Sequence, residues 1–294
     1  MNVHTMMALL SIRLEDAEGS IFTESERLQF INNAQLKLSQ ALHNNYLTEL
    51  QVIETNESVT SNKFAMSNLD NTVLRGGEGI LKVKLASGKY CTRIDVKDIK
   101  RTENQFYQGS ATNPLYYVFQ NNIYVLFGGT STLIDVYYLK LSTTLQYKLG
   151  IGGNLPADAV SFKIDSDEEP SSVDDYYNGA VIYSVDKKTY HVVTDYVGST
   201  RLVTVEPAAT SDFSSDTDEI YFLPQDFDSL ALSGIDCDLN ESLHEIIVSL
   251  AEAEGWAMDS KLDRRESALR NANSIINVLN ARYTEAEGIG TKNR

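Results

Sequence analysis

Cysteine is nearly missing from this 294-residue chain: there are 2, Cys91 and Cys237, with no spacing pattern between them. A disulfide framework or a thiolate zinc site needs several closely spaced thiols, so both read as free thiols of a reducing compartment. Proline and glycine are few, at 5 and 17 residues, while 42% of the chain is hydrophobic, so ordered cores are expected rather than disorder. No apolar run approaches the roughly 18 residues of a membrane span. The opening Met1–Leu10 has no basic n-region and only a short apolar run, so it is not expected to be a signal peptide. Positive charge is also in short supply, at 25 Lys and Arg against 41 Asp and Glu. That deficit is local: residues 157–240 hold 18 acids and 4 bases, and the rest of the chain is nearly balanced. A chain like this lacks the basic patches that attract phosphates, although it can surround DNA while repelling it.

The motifs of catalysis fail one by one. His244-Glu245-Ile246-Ile247-Val248 comes close to the helical zinc-protease pattern, but Val248 stands where the second histidine must be. The pair therefore reads as surface residues of a helix. Asp165-Ser166-Asp167-Glu168-Glu169-Pro170 opens like a calcium loop, then places Pro170 at the glycine turn and Tyr176 at the bidentate glutamate. It reads as a solvated acidic loop, with a weak surface calcium site as the alternative. Gly150-Ile151-Gly152-Gly153 and Arg75-Gly76-Gly77-Glu78-Gly79 lack the Lys-Ser/Thr of a phosphate loop and read as turns. No nucleophile elbow is present, and no carboxylate pair stands out among 41 acids. No catalytic residue, metal ligand set or cofactor is expected.

Periodicity divides the chain. Thr23-Glu24-Ser25-Glu26 is a capping box, and Leu28, Ile31, Ala34, Leu38 and Leu42 follow at helical spacing. A short helix stopped by Gly19 is expected around Leu10–Leu14. Phe30 and Leu36 lie off the main stripe, either as core or as a second apolar face. Strands are expected at Leu50–Glu54, Ile80–Leu85, Tyr90–Ile94, Leu115–Phe119, Ile123–Phe127 and Leu133–Leu139, with a hairpin turn at Asn121-Asn122. Gly150–Gly153 reads as a hinge into the acidic stretch. There, strands are expected at 160–164, 180–185, 189–195, 201–205 and 219–223, as a small barrel or sandwich. Helical spacing returns at Leu243, Ile246, Ile247, Leu250, Ala251 and Ala257, then at Leu269, Ala272, Ile275, Ile276 and Leu279. The polar run Asp259–Arg265 splits these into two helices. The fold class is α+β: a helical bundle from the two arms, an antiparallel β layer and an inserted small all-β domain. The expected boundaries are 1–154 and 229–286 for the host, 155–228 for an independently folding insertion, and 287–294 for a tail.

Arg13-Leu14-Glu15-Asp16, then Phe22 to Glu26, Leu28 and Ile31-Asn32-Asn33-Ala34-Gln35 together carry a resemblance. They are similar, in order, to the opening of the head-to-tail connector adaptors of tailed bacteriophages. Val136–Lys140 resembles that family's closing strand, and Leu243–Glu254 with Ala268–Asn280 its paired C-terminal helices. The resemblance implies a structural virion protein and no enzyme: a ring, typically of twelve copies, between portal and tail around the DNA channel. It implies the portal, tail tube, nozzle or tail-completion proteins and further copies as partners, DNA nearby, no membrane, and assembly in the host cytoplasm. It also implies a portal-docking tail, in which Ile289 is the anchor, Gly288 and Gly290 allow close approach, and Lys292 and Arg294 pair with acids. The acidic stretch is assigned no role. The alternative is a carbohydrate- or receptor-binding virion protein using the Tyr-rich strands.

Overall fold

The computed structural model describes residues 1–103, 108–150, 160–165, 170–185, 187–209, 211, 213, 219–224 and 237–290. The fold is mixed α+β, with two curled sheets and four α-helices among the described residues. Two compact units divide it: Met1–His43 with Thr143–Arg294, and Asn44–Ser142. This division does not coincide with the expected boundaries at 155 and 228. The middle β layer stands alone as a unit, and the acidic strands share a unit with the helices.

The unit Asn44–Ser142 is a seven-stranded sheet of β1 (Gln51–Thr60), β2 (Lys63–Ala65), β3 (Ile80–Leu85), β4 (Thr92–Arg93), β5 (Leu115–Phe119), β6 (Asn122–Leu126) and β7 (Ser131–Leu139). Their order is β3-β7-β1-β2-β6-β5-β4, antiparallel except for the β4–β5 pair. The two edges nearly meet. After β3 the chain turns back, and Cys91 N–H donates to the Val83 carbonyl at 2.8 Å before β4 joins β5. Alternation fills the interior with Phe64, Val83, Tyr116, Ile123, Val125 and Val136. The β5–β6 turn is Gln120-Asn121, both at positive φ (46° and 60°), while Asn122 pairs with Phe119 inside the ladder. The hairpin therefore turns one residue earlier than expected. Burial pushes the Cys91 thiol up to about 12, so it stays protonated.

In the other unit the helices are α1 (Val3–Arg13), α2 (Glu24–Ala41), α3 (His244–Met258) and α4 (Leu262–Gly290). The capping box forms: Thr23 N–H donates to Glu26 Oε2 at 2.7 Å, and Glu26 N–H to Thr23 Oγ1 at 3.2 Å. The whole stripe from Leu28 to Leu42 is buried, and so is Phe30, which belongs to the core rather than to a second face. Leu36 is half-buried. The helix break falls at residues 259–261, within the expected polar run.

The second sheet has the order β8-β13-β10-β11-β12-β9, with β8 at Tyr147–Gly150, β9 at Ser161–Lys163, β10 at Val181–Ser184, β11 at Thr189–Val197, β12 at Leu202–Glu206 and β13 at Glu219–Leu223. Every described pair in it is antiparallel. Gly150, expected to open a hinge, is the last residue of β8. The remainder of that hinge, residues 151–153, and residues 166–169 of the acidic loop lie outside the described residues. The sheet packs on the helices. Val181 N–H donates to Ser25 Oγ at 2.7 Å, and the Arg27 guanidinium lies 4.8 Å from the Tyr176 ring centroid. Gly19 has φ +67°, and a Cβ there would meet Tyr176 and Arg27 at 3.0–3.3 Å, so only glycine fits this corner.

Candidate interaction surface

The residues that carry the family resemblance are joints rather than chemistry. Arg13, on the last turn of α1, donates to Ser249 Oγ at 2.8 Å and pairs with Glu245 and Glu252 of α3. The Asp16 carboxylate accepts from Ile21 and Phe22 N–H at 3.0 and 2.9 Å, which fixes the turn into α2. Arg27, fully buried, donates to Ser11 Oγ at 2.9 Å and Glu24 Oε2 at 2.6 Å, with Asp16 Oδ2 at 3.8 Å. A buried guanidinium between two carboxylates holds only when all three stay in place, because removing one leaves uncompensated buried charge.

The Ile31–Gln35 stretch is a second joint. Asn32 donates to and accepts from the Leu145 backbone at 3.1 and 2.6 Å, and Gln35 donates to the Thr143 carbonyl at 2.9 Å. Thr143 N–H donates in turn to Asp238 at 2.8 Å. These amides hold the chain where it re-enters this unit. At the other crossing, Asn280 of α4 accepts from His43 N–H at 2.9 Å and donates to the Ala41 carbonyl at 2.8 Å.

His244 is buried instead of lying on the helix surface. Its Nε2 meets the Leu239 carbonyl at 2.9 Å, and its Nδ1 has no partner among the described residues. Glu245 is the exposed member of that pair, and it is taken up by Arg13. Among the described residues no three His, Cys, Asp or Glu side chains gather where a metal could sit, and no helix is long and apolar enough to cross a membrane.

The helical hairpin that follows carries the candidate surface. Trp256, 1% exposed, has the charged groups of Lys261 and Arg264 at 4.8 and 4.7 Å from its ring centroid. Arg264 also pairs with Glu15 at 2.7 Å and holds that carboxyl below its usual range through the hydrogen bond. With the hairpin locked, α4 presents Ala268, Ala272 and Ile276 inward. Ile275 was expected among the inward set, yet it is 43% exposed, with Val278 at 56% on the same side. Ala257, also placed inward by spacing, is exposed as well. Periodicity identified the apolar positions of this helix but not which of them meet the core. A groove of about 480 Å³ opens nearby between α2, α3 and α4, floored by Phe30, Leu250 and Leu269 and walled by Lys37 and Glu254, which pair.

Of the expected tail, Gly288, Ile289 and Gly290 continue the α4 backbone, while Lys292 and Arg294 lie outside the described residues. The helix therefore runs past the expected start of the tail at residue 287 and ends at Gly290. Of the Tyr-rich strands, Tyr190, Tyr183 and Tyr221 form a row across β11, β10 and β13, but only Tyr190 is exposed, at 40%. No known family model matches this chain, and a search of curated proteins finds no match either.

Proposed function

We propose that this chain is a structural subunit of a phage head-to-tail connector, an adaptor ring set between portal and tail around the DNA channel. The observation that supports this most is α4. It runs for 29 residues, about 43 Å, against 15 residues and about 22 Å for its partner α3. It is apolar on two sides, and one of them, around Ile275 and Val278, is left open to solvent in a single copy. The joints at Arg13, Asp16, Asn32 and Gln35 fit a subunit whose task is to hold helices rigid. On this reading the far end of α4, with Gly288, Ile289 and Gly290 followed by Lys292 and Arg294, docks on the portal. The acidic sheet then faces either the DNA channel or the tail-side periphery. Partners are the portal, further copies in a ring of twelve, and tail tube, nozzle or tail-completion proteins. A sugar-binding role for the tyrosine row is less well supported, because two of its three rings are buried. Electron microscopy of the protein mixed with its portal tests the reading. Rings seated on the portal are expected, and fewer of them after deletion of residues 287–294. Monomers that ignore the portal would overturn it.

A further inference from the structure

We propose that the open face of α4 docks on the α1–α2 corner of a second copy, with Ile275 and Val278 seated against Ile12. The pairing deepens the connector reading by naming two complementary surfaces, and it rests on that reading only for closure of the contact into a ring.

The first surface is defined by charge as well as by exposed carbon. Residues 267–284 contain no acid, although the chain carries a net charge of −16. Arg270 and Arg282 are both exposed and make no ion pair or hydrogen bond to any described residue. They lie about 18 Å apart along the helix, on either side of Ile275 and Val278. An apolar pair flanked by two such guanidinium groups calls for an acidic rim around an apolar seat.

The α1–α2 corner supplies both. Ile12, at 66%, is the most exposed large apolar side chain described. It borders a pocket of about 260 Å³ lined also by Met7, Ala8, Ala17 and Tyr176. That is below the roughly 300–1,000 Å³ of pockets that enclose a drug-sized ligand, and it suits an aliphatic side chain. Glu18, next in sequence to Ala17 of the pocket wall, is exposed and has no partner among the described residues. Glu24 forms part of the pocket wall.

Charge also argues against the simplest competitor. Two α4 helices packed antiparallel about Ile275 and Val278 would bring Arg270 of one copy opposite Arg282 of the other, twice over. A contact between unlike surfaces avoids this, and such head-to-tail contacts are the kind that closes into rings.

Disulfide trapping in the whole chain tests the pairing, in a Cys237→Ser background where the remaining Cys91 is buried. Protein carrying Ile12→Cys is mixed with protein carrying Val278→Cys under mild oxidation. Ile12→Cys mixed with Ser58→Cys, an exposed site on the other unit, is the control. The expected result is that the mixed disulfide between the Ile12→Cys and Val278→Cys proteins exceeds the control and both self-adducts. Adding Arg270→Glu and Arg282→Glu to the second partner should cut the yield several-fold, and Glu18→Arg on the first should restore it. A dominant disulfide between two copies of the Val278→Cys protein, or yields no higher than the control, would overturn the pairing. Portal binding of the unmodified chain is read separately. Rings on the portal without the mixed disulfide sink the pairing alone, and the mixed disulfide without portal binding sinks the connector reading alone.

Discussion

Tyr177 shows what single side chains contribute to the joint between the acidic sheet and the helices. Its ring lies 4.9 Å from Tyr176, 4.7 Å from Tyr196 and 5.2 Å from Phe222, in edge-on and tilted contacts that add to simple burial. Burial raises the Tyr177 phenol far above the usual tyrosine range, and it pushes Tyr196 up to about 12. Both groups keep their protons in the folded chain at pH values where an unfolded tyrosine, with a pKa of about 10, has lost its own. The unfolded state then binds fewer protons than the folded one, so stability falls as pH rises. The contribution is whole below about pH 10 and is lost as pH climbs toward and past 12. Alkaline titration should therefore show tyrosinate absorbance rising steeply together with loss of the folded circular dichroism signal. Gradual titration of all tyrosines near pH 10, about their free value, with the fold intact, would mean these rings are accessible to solvent.

Helix α3 contains one glycine, Gly255, which propensity alone marks as a weak point costing about 1 kcal/mol. The structure gives the reason for it: a Cβ there would sit 2.6 Å from Leu14, itself fully buried at the end of α1. Gly255→Ala gains helix propensity but crowds a packed contact, and overpacking costs typically about 1–3 kcal/mol. Net destabilisation is expected, read as a lower urea midpoint, with Leu14→Val recovering part of it in the double variant. A raised midpoint would show that α1 and α3 have room to spare. Local signals of this kind made most elements legible. Caps and turn residues located α2 and the break before α4, and two-residue alternation located most strands of both sheets. What stayed hidden depended on packing that local periodicity does not report. Nothing near His244 says that the Leu239 carbonyl and the packed α3 core enclose it, and nothing near Ile275 says that its side of α4 is left open. The short strands β2 and β8 have too few residues for alternation to register; β2 is held between β1 and β6, and β8 against β13.

At the scale of the whole molecule, charge and packing place the acidic stretch differently. A step in net charge at residue 157 suggests a module with its own core. Contacts instead bind the second sheet to the helices, Ser25 to Val181 and Arg27 to Tyr176, and the sheet takes in β8, which precedes the charge step and pairs with β13. Composition reports what a surface meets, whereas a folding unit is set by which apolar faces close on each other, and here the helices and the second sheet close together. Excising residues 157–226 behind a short linker should therefore cost more than a domain. It removes five strands, takes Tyr176 off the buried Arg27 network and uncovers α2. Loss of the cooperative helical transition in urea is expected for the excised chain. The fragment 44–142, with its nearly closed sheet and separate core, should by contrast unfold in one transition when expressed alone. Circular dichroism and urea titration of the two proteins decide the matter. A native helical signal with an unchanged midpoint in the excised chain would restore the boundaries at 155 and 228 and make the acidic sheet an insertion that the helices do not need.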